Sequence, residues 1–146
     1  MLSPKRTRFR KYQVSRTRPK GLVSQRVCSG FAGELVQFGN LAIQALEAGR
    51  LSACVIEATR RSITRKLKRK GQLWTRIFPD IPITAKPAET RMGKGKGAIS
   101  FWVARVKRGQ ILFEVDGVNL VLARQAINKA IQKLPISARV LTRIKN

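Results

Sequence analysis

The first 30 residues of this chain contain no acid. From Met1 to Gly30, Lys5, Arg6, Arg8, Arg10, Lys11, Arg16, Arg18, Lys20 and Arg26 crowd together among few large apolar groups. Such a segment cannot bury enough apolar surface to offset its conformational entropy, so it does not fold alone. The chain therefore reads as an extended basic N-terminal arm over residues 1–30 and one folded domain over 31–146.

A chain of 146 residues is long enough for one domain with a real core. Its 43% hydrophobic content is ordinary, but 31 Lys and Arg face only 7 Asp and Glu, a formal net charge of +24. At physiological salt the Debye length is roughly 8 Å, so neighbouring cations repel one another and a polyanion has to relieve the strain. No apolar run approaches the roughly 20 residues of a spanning helix, and no strongly apolar amphipathic face coincides with the basic stretches. Nucleic acid is the better partner, and no membrane is expected. Histidine is absent and Cys28 and Cys54 lie far apart, which rules out the usual zinc sites; both read as reduced thiols. No metal and no cofactor are expected.

Within the domain, Phe31 to Gly39 reads as a short strand-like run, and Leu41 to Leu46 as strand or helical turn. Gly49 then stops the chain. Ser52 is placed to cap a helix from Ala53 to about Lys70, with Leu51 packing on Ile56. Ile56, Ile63 and Leu67, with Thr59 or Arg60 between them, form its inward stripe. Arg60, Arg61, Arg65, Lys68 and Arg69 gather like charges three and four residues apart, which oppose a helix unless an anion lies alongside. Only Glu57 is available to offset them, so an RNA contact is preferred to a solvated face.

Gly71 closes that helix, and Leu73 to Phe78 reads as a strand. Pro79, Pro82 and Pro87 make the next stretch extended or turning. Ile99 to Val106 and Ile111 to Val115 read as strands joined through Lys107-Arg108-Gly109-Gln110 in a hairpin-like turn. Asn119 caps a helix from Leu120 to Leu134 that buries Ala123, Ile127, Ala130 and Leu134, with Pro135 as the stop. A last strand covers Ile136 to Leu141. The class is α+β, a small, mostly antiparallel sheet with two packed helices.

The most unusual local feature is Arg91-Met92-Gly93-Lys94-Gly95-Lys96-Gly97. Alternating glycines strip Cβ atoms from the chain, so backbone N–H groups can approach phosphate while Arg91, Lys94 and Lys96 add charge-assisted contacts. A phosphate loop of a nucleotide enzyme would need G-x-x-x-x-G-K-[ST] opening a helix; here Gly97 leads into Ala98 and a strand. Glu114 and Asp116 are the closest carboxylate pair, and local pairing with Lys107 or Arg108 explains them better than acid–base chemistry. The chain does not read as an enzyme, and no small-molecule substrate is expected. Phe9 and Tyr12 in the arm are candidates to stack on unpaired bases or to plug the domain's own surface.

Several segments, in order along nearly the whole chain, resemble one family. They are Met-Leu-Ser-Pro-Lys-Arg-Thr-Arg-Phe-Arg-Lys at the start, Ile56-Glu57-Ala58 with Arg60-Arg61 and Thr64-Arg65, Arg76-Ile77-Phe78-Pro79-Asp80, Pro82-Ile83-Thr84, Lys86-Pro87, Arg91 to Gly97, and Phe113-Glu114 before Asp116-Gly117-Val118. The pattern resembles the bacterial-type large-subunit ribosomal protein sixteen. The resemblance implies an α/β-hammerhead-like domain bound to large-subunit ribosomal RNA beside the aminoacyl-tRNA site, among neighbouring ribosomal proteins. It implies that Arg91 to Lys96 lie near the acceptor ends of tRNA, the aminoacyl-site tRNA first and the peptidyl-site tRNA second. It also implies that Lys5 to Lys11 are held in ribosomal RNA and that catalysis belongs to the RNA. Departures from the bacterial pattern between Gln13 and Gly30, beside a start that looks like organellar versions, favour an organellar ribosome. Mitochondrion is preferred to plastid, and either to a bacterial cytoplasm.

Overall fold

Side-chain caps start both helices. The Ser52 hydroxyl accepts from the Val55 N–H at 3.4 Å and opens α1 (Ala53–Lys66); the Asn119 carbonyl accepts from the Val121 N–H at 3.1 Å and opens α2 (Leu120–Ile131). The computed structural model describes residues 2–13, 35–93 and 95–143. Among them α1 buries Ala53, Ile56, Thr59 and Ile63, and α2 buries Ala123, Ala126, Ile127 and Ala130. The alanines let α2 sit close to its neighbours, α1 among them.

Seven strands complete the described fold: β1 (Leu41–Ala45), β2 (Gly49–Ser52), β3 (Gln72–Thr75), β4 (Ile81–Ala85), β5 (Ala98–Val106), β6 (Ile111–Asp116) and β7 (Ala138–Thr142). The class is α+β, as read from the sequence, with every pairing antiparallel. The strands divide between two sheets, in order β3-β6-β1-β7 and β2-β5-β4. Every residue of β1 is buried, as is every residue of β6 up to Val115. Phe113, Ile43, Leu112, Ile56, Ile63 and Ile127 join in one core, where each fully buried large aliphatic contributes about 1.5–3 kcal/mol.

The differences from the sequence reading have local causes. Leu35 to Gly39 is not a strand: the N–H groups of Gln37, Phe38 and Gly39 donate to the Glu114 carboxylate instead of to a ladder. Phe31 and Gly33 lie outside the described residues. α1 ends four residues before Lys70, because Leu67 turns into the core and Lys68 and Arg69 take left-handed backbone at φ 51° and 63°. Gly71, at φ 75°, ends this turn, not the helix, and β3 stops at Thr75 instead of running to Phe78. α2 ends at Ile131, before Leu134 and Pro135.

The predicted hairpin of the two long strands does not form. β5 has both edges filled by β2 and β4, while β6 lies between β3 and β1. The 107–110 turn bonds to the end of β1, with the Gly109 N–H donating to Ala45 O at 2.8 Å and the Ala45 N–H donating to Gln110 O at 2.9 Å. The chain changes sheets there. β5 instead makes its hairpin with β4, and the glycine-rich segment is the loop joining them.

Candidate nucleic-acid interface

The three glycines of that loop play different parts. Gly93 and Gly95 take φ of +91° and +80°, and a Cβ on either would meet nothing within 4 Å, so their backbone stands open to whatever approaches. Gly97 is closed in: a Cβ there would run into the Ala85 carbonyl, so this glycine lets β4 and β5 close up. Arg91, Met92, Gly93, Gly95 and Lys96 are all exposed; Lys94 lies outside the described residues. The Lys86 ammonium donates to Gly93 O at 2.5 Å and braces the loop from its β4 side.

The arm lies against the same loop. The Lys11 ammonium donates to Lys96 O at 2.6 Å, and the Lys96 ammonium donates back to Tyr12 O at 2.5 Å. The Arg105 guanidinium, projecting from β5, sits 5.7 Å from the centre of the Tyr12 ring. At the arm's other end Leu2 packs on the core and reaches α1, so residues 2–13 span from the helices to the loop. Lys5, Arg6, Arg8, Arg10 and Lys11 are exposed along that path, with Arg8 over Phe9 at 5.5 Å. Arg16 and Arg18 lie outside the described residues, as do Lys20, Arg26 and Cys28.

The α1 cations are only partly one face. Arg60 and Arg61 both pair with Glu57, at 2.8 and 2.9 Å. Their guanidinium hydrogen bonds, Arg60's first, hold the Glu57 carboxyl down at about 2. Arg65 is exposed near the helix end, while Lys68 and Arg69 project from the left-handed turn beyond it. Lys86 and Arg105 were not singled out as site residues by the sequence; their signal was placement beside the loop, as a hairpin from β4 to β5 would have revealed.

Glu114 is turned inward, away from these cations. It is fully buried, pairs with Arg76 and accepts from three successive N–H groups, at 3.1 Å (Gln37), 2.7 Å (Phe38) and 2.9 Å (Gly39). Arg76 also donates to the Gln37 side chain at 3.1 Å and covers Phe38, which stacks on Trp74. The expected partners Lys107 and Arg108 are therefore wrong for Glu114: its partner comes from just past β3, beside β6 in the sheet. Asp116 accepts from the Asn40 amide at 2.6 Å.

What the geometry offers is a cationic arm clasped to an open, glycine-lightened loop, suited to lying along closely spaced phosphates. The family model described as ribosomal protein L16p/L10e matches residues 4–141. The large ribosomal subunit protein uL16 of Caulobacter vibrioides is 50% identical over 144 residues, covering 99% of this chain and 94% of that protein. Its counterpart in Paracoccus denitrificans is 48% identical over 143 residues, covering 98% of each, and that of Sulfurovum sp. is 49% identical over 142 residues, covering 97% and 94%.

Proposed function

Because the chain belongs to the ribosomal protein L16p/L10e family, we propose that this constituent of the large ribosomal subunit binds large-subunit ribosomal RNA and shapes the pocket that receives aminoacyl-tRNA. The observation that carries this reading is the clasp between Lys11, Tyr12 and Lys96, which makes the arm and the open loop one cationic element. The described residues Lys5 to Lys11, with Arg16 and Arg18 beyond them, neutralise phosphates where RNA segments converge, releasing counter-ions. Arg60, Arg61, Arg65, Lys68 and Arg69 do the same from the helix side, where Glu57 already offsets part of the charge of Arg60 and Arg61.

Backbone contacts of this kind position and do not read sequence. The open stretch from Arg91 to Gly97 is the part that faces tRNA, the aminoacyl-site tRNA first and the peptidyl-site tRNA second. Peptide-bond chemistry belongs to the RNA, and the chain contributes binding and shape to a particle it shares with other ribosomal proteins. The departures between Gln13 and Gly30 favour an organellar particle, mitochondrial before plastid. Sedimentation of the protein with large subunits from purified mitochondria checks that placement, and its recovery only from another compartment's ribosomes overturns it.

Replacing Lys94 and Lys96 with Ala tests the loop. Large subunits are expected to assemble and sediment normally while aminoacyl-tRNA accommodation slows. Unchanged accommodation kinetics in assembled subunits would remove the tRNA role.

A further inference from the structure

One face of α1 repeats every three to four residues along its whole length: Cys54, Glu57 and Ala58, Arg61 and Ser62, Arg65 and Lys66. With Lys129 and Lys133 from α2 and its end, and Leu2 of the arm, it walls a groove of about 970 Å³. Ala58 and Ser62 are short and keep the floor clear. Five cations and one acid line this groove. Glu57 is held by Arg60 and Arg61, while Arg65, Lys66, Lys129 and Lys133 make no ion pair among the described residues.

Complementing the helix ends does not account for so much charge. Arg65, Lys66 and Lys129 do sit in last turns. Each helix C-terminus, however, offers roughly half a negative elementary charge, so two ends offset about one cation. A single bound phosphate would also leave an excess. From Cys54 to Lys66 the groove follows α1 for roughly 18 Å at 1.5 Å per residue. An RNA backbone laid along it presents several phosphates in succession. Arg61, Arg65 and Lys66 on one wall and Lys129 and Lys133 on the other supply more positive charge than one phosphate can balance.

We infer that the groove between α1 and α2 is a second RNA-backbone site, held by Arg61, Arg65, Lys66, Lys129 and Lys133, at the opposite end of the arm from its clasp on the loop. It rests on the reading that the protein binds ribosomal RNA, and it brings in three lysines, two of them from the α2 side, that the sequence did not single out. The site takes phosphates without regard to base and lets the protein grip RNA on two of its surfaces at once.

The test compares the full chain carrying Lys66→Gln, Lys129→Gln and Lys133→Gln with a control carrying Lys107→Gln, Arg108→Gln and Arg124→Gln, each titrated with large-subunit ribosomal RNA at several salt concentrations. With a slope of roughly 0.9 per phosphate neutralised, the groove variant is expected to lose about 2–3 from its log–log salt slope, and the control markedly less. In a Cys28→Ser background, alkylation of Cys54 by N-ethylmaleimide is expected to slow when RNA is bound. Equal slope losses in the two variants, or Cys54 alkylated as fast with RNA as without it, overturns the groove site. If the unaltered chain itself ignores ribosomal RNA at low salt, the underlying reading has failed instead, and the two failures are thereby told apart.

Discussion

The interior of the four-stranded sheet and the tip of the β4–β5 hairpin handle charge in opposite ways. Inside, Glu114 is matched by Arg76 and by three N–H groups of the 37–39 segment, and Gly39 passes so close that a Cβ would stand 2.7 Å from Val115 O. At the tip, Gly93 and Gly95 have nothing among the described residues within 4 Å of where a Cβ would be, and the Lys96 ammonium donates to the Tyr12 carbonyl and to no carboxylate among them. A chain with so few acids places one where it fixes the fold and leaves the exposed cations for a partner. One region is complete in itself; the other is completed from outside.

The largest effect should come from breaking the complete region. Glu114→Ala takes the carboxylate from the half-buried Arg76 and strips three N–H groups of their acceptor in the core, a loss of about 3–5 kcal/mol. Thermal unfolding should show Tm lowered by on the order of 10 °C or more. Adding Arg76→Met to that variant should recover part of the loss, since the charge that faced the carboxylate goes with it. A double variant no more stable than Glu114→Ala alone would show that the pair is not coupled, and the contrast between interior and tip would lose its basis.

A smaller effect divides the tip itself. Gly97→Ala forces β4 and β5 apart at the Ala85 carbonyl and should cost about 1–3 kcal/mol, with faster amide exchange along the hairpin. Gly93→Ala meets no neighbour among the described residues; its cost is that of the positive φ alone, about 1–2 kcal/mol, less whatever the open loop recovers by relaxing. Thermal melts of the two variants side by side check the order. Equal losses would mean that the loop is as tightly determined as its base.

These roles were unequally legible in the sequence. Ser52 and Asn119 announced both helices, because a cap is a local bond between residues two or three apart. The inward stripe of α1 could be read for the same reason. The partner of Glu114 could not: Arg76 lies 38 positions away, and only the pairing of β3 with β6 brings it near. Pro79, Pro82 and Pro87 make the 79–87 stretch read as extended or turning, yet Pro82 lies in β4, an edge strand, where a proline is tolerated. The 107–110 segment signals a turn but not which strand edges are free, so it does not tell a hairpin of β5 with β6 from the observed step between sheets. The loop's residues stood out at once; that Gly97 serves packing, and that Lys96 holds the arm, depended on strands and segments far apart in sequence.

Glu57 stands between the two regimes, an acid at the surface held by two arginines, and it supplies the smallest and sharpest test. Hydrogen bonds from Arg60 and then Arg61 lower its carboxyl from the ordinary 4.5 to about 2. A depressed carboxylate stabilises the fold at pH above 4.5, and that contribution fades as pH falls from there through about 2. Because the pair is partly solvated, salt screens it and the stability change is slight, so the titration itself is the better readout. By carboxyl-carbon NMR the midpoint should lie near 2 in the unaltered protein and rise toward 4.5 in Arg60→Gln with Arg61→Gln. A midpoint already near 4.5 would mean that the arginines do not hold Glu57 in solution. The α1 surface would then keep their full charge for RNA, as the hairpin tip does.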